Sequence, residues 1–147
     1  AALKEDVMVF GSPLEFTAAE KETWSRAMEA YLTNTLVNCT YCDRCMPCPY
    51  GINIPGIFRI YNEVLKEGMV PDRFGDVYSE TFSTKGHYFI NRYRAAIRDE
   101  ESTFRCIRCD LCVPKCPELI AIPEQMDHIA AIVEAVKDVE VEKICGH

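Results

Sequence analysis

The sequence predicts an all-α fold in two related halves, and three observations carry that expectation. Eight of the nine cysteines fall in two short runs, residues 39–48 and 106–116. Nearly all the patterned residues among the 57 between those runs recur with the helical period of 3.6, and no alternation of period two competes with it. Each run also leaves through the same segment: Cys48-Pro49-x-x-Ile52-x-Ile54-Pro55 returns as Cys116-Pro117-x-x-Ile120-x-Ile122-Pro123, with a helical pattern after each. The halves therefore form a pseudo-two-fold pair, each a cysteine loop, an extended crossing segment and an outgoing helix.

Taken in order, residues 1–13 carry a short apolar pattern in Val7, Val9 and Phe10 and read as a junction that reaches to residue 16. Thr17-Ala-Ala-Glu20 is a capping box, and Trp24, Met28, Tyr31, Leu32 and Thr35 follow at helical spacing, predicting a helix over 18–36 with the apolar ring of Trp24 in the core. After the first run, Pro55 suits the first turn of a second helix. Its buried face would be Ile57, Ile60, Tyr61, Val64 and Leu65, and Gly68 would end it. Phe74, Val77, Tyr78 and Phe82 give a weaker helical pattern, whereas residues 88–98 give a stronger one through Phe89, Tyr93, Ala96 and Ile97. Met126, Ile129, Ala130, Val133 and Val136 mark the last helix. Residues 17–138 are thus expected to form the domain, with an acidic, frayed tail over 139–147.

The chemistry lies in the cysteine spacing. Cys106, Cys109, Cys112 and Cys116-Pro117 have the steps of a bacterial two-cluster ferredoxin, and Cys39, Cys42, Cys45 and Cys48-Pro49 differ only by a gap one residue shorter. Cysteines three apart let the backbone curl around a cubane, sending thiolates to different iron corners. Zinc would take four thiolates per ion from two separate C-x2-C knuckles, leaving a surplus ligand beside each knuckle here. Disulfides belong to short, loop-rich secreted scaffolds, not to a long chain with helical periodicity and no signal peptide. Two 4Fe-4S clusters are the expectation. In two-cluster ferredoxins the fourth cysteine of a run ligates the other cluster. Cys39, Cys42, Cys45 and Cys116 are accordingly assigned to one cluster, and Cys106, Cys109, Cys112 and Cys48 to the other. Cys145 is read as a spare thiol.

Composition bounds the rest. Sixteen Lys and Arg against 23 Asp and Glu give a net charge of -7, which argues against nucleic acid or an anionic membrane as partner. The longest apolar run, residues 129–133, is far too short to span a bilayer. Free thiols that must await cluster assembly imply a reducing, cytoplasmic setting. His87, His128 and His147 stand without a paired carboxylate or nucleophile at usable spacing, so no catalytic residue is expected in this chain. Arg44, Arg105, Arg108 and Lys115 lie in or beside the runs, where they either face the clusters and ease their reduction or solvate the loops.

The arrangement resembles the alpha-helical ferredoxin fold of the iron-sulfur subunits of succinate dehydrogenase, fumarate reductase and heterodisulfide reductase. Residues 41–58, with Cys42-x-x-Cys45-Met46-Pro47-Cys48-Pro49-Tyr50-Gly51-Ile52, are more closely similar to the first cysteine block at the carboxyl end of the iron-sulfur aldo/keto reductases, where the shortened gap is the usual form. Leu3-Lys-Glu-Asp6, Phe10, Pro13-Leu14 and Thr17-Ala-Ala-Glu20 resemble the junction that follows the barrel there. The resemblance implies a carboxyl-terminal electron-transfer domain whose partners are an aldo/keto reductase barrel, attached or docked, and a redox protein. NADP or NAD would be held in that barrel and not by these residues. Two other functions stand beside it: clusters as staples of a docking domain, and an electron-relay subunit of a larger redox complex.

Overall fold

A computed structural model describes residues 16–33, 35–72 and 76–145, with backbone alone for 25, 28–33 and 138–145. The chain divides into two compact units, one through Tyr31 and one from Leu32. The described elements are α1 (Ala18–Thr33), α2 (Ile54–Lys66), α3 (Glu80–Ala96), α4 (Ile122–Cys145) and three short 3-10 turns, Asp99–Glu101, Thr103–Arg105 and Val113–Lys115. No strand occurs among the described residues, so the fold is all-α. The expected pattern in Val7, Val9 and Phe10 lies outside the described residues, as do Phe74, His147 and the side chains of Met28, Tyr31 and Cys145.

In the first unit the capping box forms as the sequence predicts. The Thr17 N–H donates to the Glu20 carboxylate at 2.9 Å, and the Glu20 N–H donates to the Thr17 hydroxyl at 3.3 Å. These bonds with Thr17 hold the Glu20 carboxyl below the usual range. Trp24, expected in the core, is instead 64% exposed. Helical spacing identifies a shared face; it does not say whether that face meets a partner.

The core of the second unit is carried by α2, α3 and α4. Helix α2 begins where the Asn53 side chain accepts the Gly56 N–H at 3.0 Å, with Pro55 in the first turn. It ends in paired bonds from Gly68 N–H to Leu65 O and Met69 N–H to Val64 O, both at 3.0 Å, the Schellman closure. Ile54, Ile57, Phe58, Tyr61 and Val64 form its buried stripe. Helix α3 starts eight residues before the strong pattern at 88, because the Ser79 hydroxyl caps Phe82 N–H at 3.1 Å. Val77 and Tyr78 fall in the turn ahead of it, where Asp76 takes the Tyr78 N–H at 3.0 Å and breaks the helix expected there. Gly86 weakens the helical pattern by about 1 kcal/mol of propensity. Its missing side chain is what lets α3 approach α4, since a Cβ there would meet the Val136 methyls at 3.0 and 3.2 Å.

Helix α4 buries Ile122, Met126, Ile129, Ile132, Val133 and Val136. Its backbone stays helical through Cys145, beyond the point at which fraying was expected. His128, unremarkable in sequence, is buried here, with its Nε2 3.3 Å from the Tyr61 hydroxyl of α2. On the surface Arg92 joins α3 to the end of α2 through Glu63 at 2.9 Å and Glu67 at 3.8 Å, pairs that solvent screens.

Candidate metal centre

The two cysteine runs adopt the same backbone. The second residue after the first cysteine is left-handed in each, Tyr41 at φ 54° and Arg108 at φ 55°. So is the residue after the second cysteine, Asp43 at φ 60° and Asp110 at φ 58°. Left-handed backbone costs a residue with a Cβ about 1–2 kcal/mol, so four such positions need compensation from what the loops enclose. The turns also aim amide hydrogens inward: the Tyr41 N–H donates to Cys39 Sγ at 3.4 Å.

Beyond the third cysteine the loops diverge and then converge. The shorter gap holds a cis Met46–Pro47 peptide, and the longer one forms the Val113–Lys115 turn. Both then make one further turn, Gly51 N–H to Cys48 O at 3.0 Å and Leu119 N–H to Cys116 O at 3.2 Å. Each exit proline fixes its own φ and holds the preceding cysteine extended. The chain thereby carries its fourth thiol away from its own loop.

Two cavities result. One, with about 320 Å³ of empty space partly open to solvent, is lined by Cys39, Cys42, Cys45 and Cys116, backed by Pro55, Phe58 and Ile122. The other, with about 300 Å³ of space likewise partly open to solvent, is lined by Cys48, Cys106, Cys109 and Cys112, backed by Ile54, Ile122 and Met126. Each thus takes three thiols from one run and one from the other. Ile122 stands in both walls, and its own burial is nearly complete. None of these eight cysteines is in a disulfide; Cys42 is exposed and the others are partly buried.

Electrostatics define what can occupy the cavities. Burial pushes the thiols of Cys39, Cys106 and Cys112 up, and that of Cys45 to about 11. Neighbouring cysteines add to the effect across the two runs, Cys116 on Cys39 and Cys48 on Cys106. Cys42, at the mouth, is held low, chiefly by the Arg44 backbone N–H. A cation bound among these thiols favours their thiolate form, and binding expels their protons. Among the described residues no three Cys, His, Asp or Glu side chains meet around a single-ion position. Four thiols line each cavity, a donor set that suits a multinuclear core with four metal corners.

The flanking cations do not simply face the cavities. Arg108 is engaged by Glu124 at 2.6 Å and by Asp127. Arg105 donates from Nε to the Tyr50 carbonyl at 3.0 Å. Two buried side chains anchor the loops: Asn62, which the sequence does not single out, and Tyr93, which it places on a helix face without this role. The Asn62 amide bonds both backbone groups of Val37, accepting at 2.8 Å and donating at 2.7 Å, and reaches the Tyr41 hydroxyl at 3.1 Å. The Tyr93 hydroxyl accepts the Thr103 N–H at 3.1 Å. Asn62 at helical spacing gave no signal beyond an interruption of an apolar stripe.

A helical fold that sets two groups of four thiols in adjoining cavities defines an iron-sulfur protein of the two-cluster, ferredoxin-like class. Residues 38–122 match the family model of the 4Fe-4S dicluster domain, and the chain belongs to that family. Comparison with curated proteins and with solved structures gave no match. The family assigns an electron-transfer role to the fold. No described helix is long and apolar enough to cross a membrane.

Proposed function

We propose that this chain carries two 4Fe-4S clusters, held by Cys39, Cys42, Cys45 and Cys116 and by Cys48, Cys106, Cys109 and Cys112, and relays electrons singly through them. The supporting observation is the exchange of the fourth thiol between the two cavities. A 4Fe-4S cluster exchanges one electron with little change of shape. The protein's part is to position and insulate. Apolar side chains back the inner walls of both centres, backbone N–H groups such as that of Tyr41 stabilise thiolate charge, and Ile122 stands between the cavities.

The similarity of residues 41–58 to the iron-sulfur aldo/keto reductases supports a finer reading. In it the relay serves a nicotinamide-dependent oxidoreductase barrel in a reducing, cytoplasmic setting, splitting or collecting the two electrons of a hydride. These residues contribute no catalytic group to that reaction.

Anaerobic reconstitution tests the first reading. About eight iron and eight acid-labile sulfide per chain are expected, with reversible bleaching by dithionite. Stoichiometric zinc without sulfide, or clusters that take up no electrons, would overturn it. For the finer reading, a chain extended by the barrel should lose NAD(P)H-dependent electron exchange with the clusters when Cys116 is replaced by Ala; hydride exchange with no change in cluster oxidation state would rule it out.

A further inference from the structure

The two cysteine loops share a backbone but not a surface. At the position after the first cysteine, the first loop carries Thr40 and the second Ile107; before the third cysteine, the first carries Arg44 and the second Leu111. Ile107 is 60% exposed and Leu111 55%. Tyr50, 37% exposed, lines the second cavity together with Ile107. Single exposed apolar residues need no explanation, but three around one cofactor mouth form a patch that the twin loop shows to be unnecessary for wrapping a cluster.

The charge around this patch leans negative. Asp110 lines the cavity, Glu124 and Asp127 of α4 flank Arg108, and Arg105 is bonded to the Tyr50 carbonyl, so three carboxylates stand against two guanidiniums. Four thiolates around an oxidised cluster add further negative charge. At the first mouth Asp43 and Glu118 are accompanied by Arg44, for which no ion pair occurs among the described residues, and Arg59 covers the Tyr41 ring at 5.1 Å. An apolar centre within a negative ring complements an apolar centre within a positive ring.

We propose, resting on the two-cluster reading, that the outer face of the second loop docks a one-electron carrier protein whose redox centre opens on an apolar patch ringed by Lys and Arg. Docking sets that centre against the cavity of Cys48, Cys106, Cys109 and Cys112. One electron leaves the reduced cluster as the carrier gains one; no bond forms and no proton moves. Charge steering makes the encounter fast and salt-dependent, and the small apolar contact lets the carrier leave.

The test uses cytochrome c, a basic-rimmed haem protein, as probe. Dithionite-reduced holoprotein is mixed with it anaerobically, and haem reduction is followed by stopped flow. The double variant Ile107→Thr, Leu111→Arg gives the second loop the side chains already present in the first, so the cluster-binding backbone is retained. Its rate with cytochrome c should fall by at least about tenfold, while oxidation by a neutral cobalt(III) complex stays within about twofold. Glu80→Gln at the start of α3, outside both loops, should change neither. The wild-type rate should fall steeply between low and high salt.

An unchanged cytochrome c rate in the double variant, or salt independence in the wild type, overturns the docking proposal and leaves the cluster reading intact. If the double variant retains less iron, Leu111→Arg alone and the wild-type salt dependence decide the matter. Wild-type dimers that the double variant dissociates without slowing cytochrome c would make the face a contact between copies. A reconstituted wild type with no reducible cluster removes both readings together.

Discussion

Leu119 and Gly51 occupy the same place in the two halves, third after the exit cysteine, and both are left-handed, at φ 53° and 79°. Gly51 suits that backbone; Leu119 does not, and at 87% exposed it gains almost nothing from burial. Leu119→Gly should therefore relieve about 1–2 kcal/mol of backbone strain against an entropic cost of about 0.5–1, a net gain of roughly 0.5–1 kcal/mol. The thermal midpoint of the anaerobic holoprotein, compared at one scan rate, should rise. Gly51→Ala should do the reverse by about 1–2 kcal/mol, since its Cβ would also sit 3.3 Å from the Glu100 carbonyl oxygen. A lower midpoint for Leu119→Gly would show that its side chain does more than tolerate the turn.

Between residues and fold stand the anchors that deliver each loop. Asn62 replaces a strand partner for Val37, and Tyr93 does part of the same for Thr103, so each loop starts from a point fixed to a helix. Asn62→Ala leaves the buried N–H of Val37 unpaired, a cost of about 1–3 kcal/mol, while the Val37 C=O still accepts the Cys39 N–H at 2.7 Å. Hydrogen exchange at residues 37–41 should accelerate while residues 103–112 keep their protection. Equal loss in both loops would mean that the anchors act on the whole core instead. These anchors were not legible in the sequence, because a buried polar residue in an apolar stripe looks the same whether it binds a loop or merely interrupts a helix. The start of α3 was obscured for a related reason. Gly86 lowers helix propensity locally, and only its contact with Val136 shows what the gap is for.

At the scale of the molecule, the fold class and the doubled design were readable because metal-gathering loops constrain sequence strongly: the cysteine steps and the Cys-Pro exits are repeated almost residue for residue. Packing was less readable. Trp24 lies at helical spacing yet is exposed, and His128 is isolated in sequence yet meets Tyr61 in the core, contacts that only the assembled helices reveal.

The proposed relay rests on exchange of the fourth thiol between the two cavities, and that exchange can be measured directly. Cys48→Ala holoprotein, prepared anaerobically and alkylated with iodoacetamide, can be mapped thiol by thiol by mass spectrometry. Cluster-bound thiolates resist alkylation; released ones do not. Cys106, Cys109 and Cys112 should become labelled, with Cys39, Cys42, Cys45 and Cys116 still protected and iron falling toward half. Labelling of Cys39, Cys42 and Cys45, with the second run protected, would mean that each run holds its own cluster and would contradict the account.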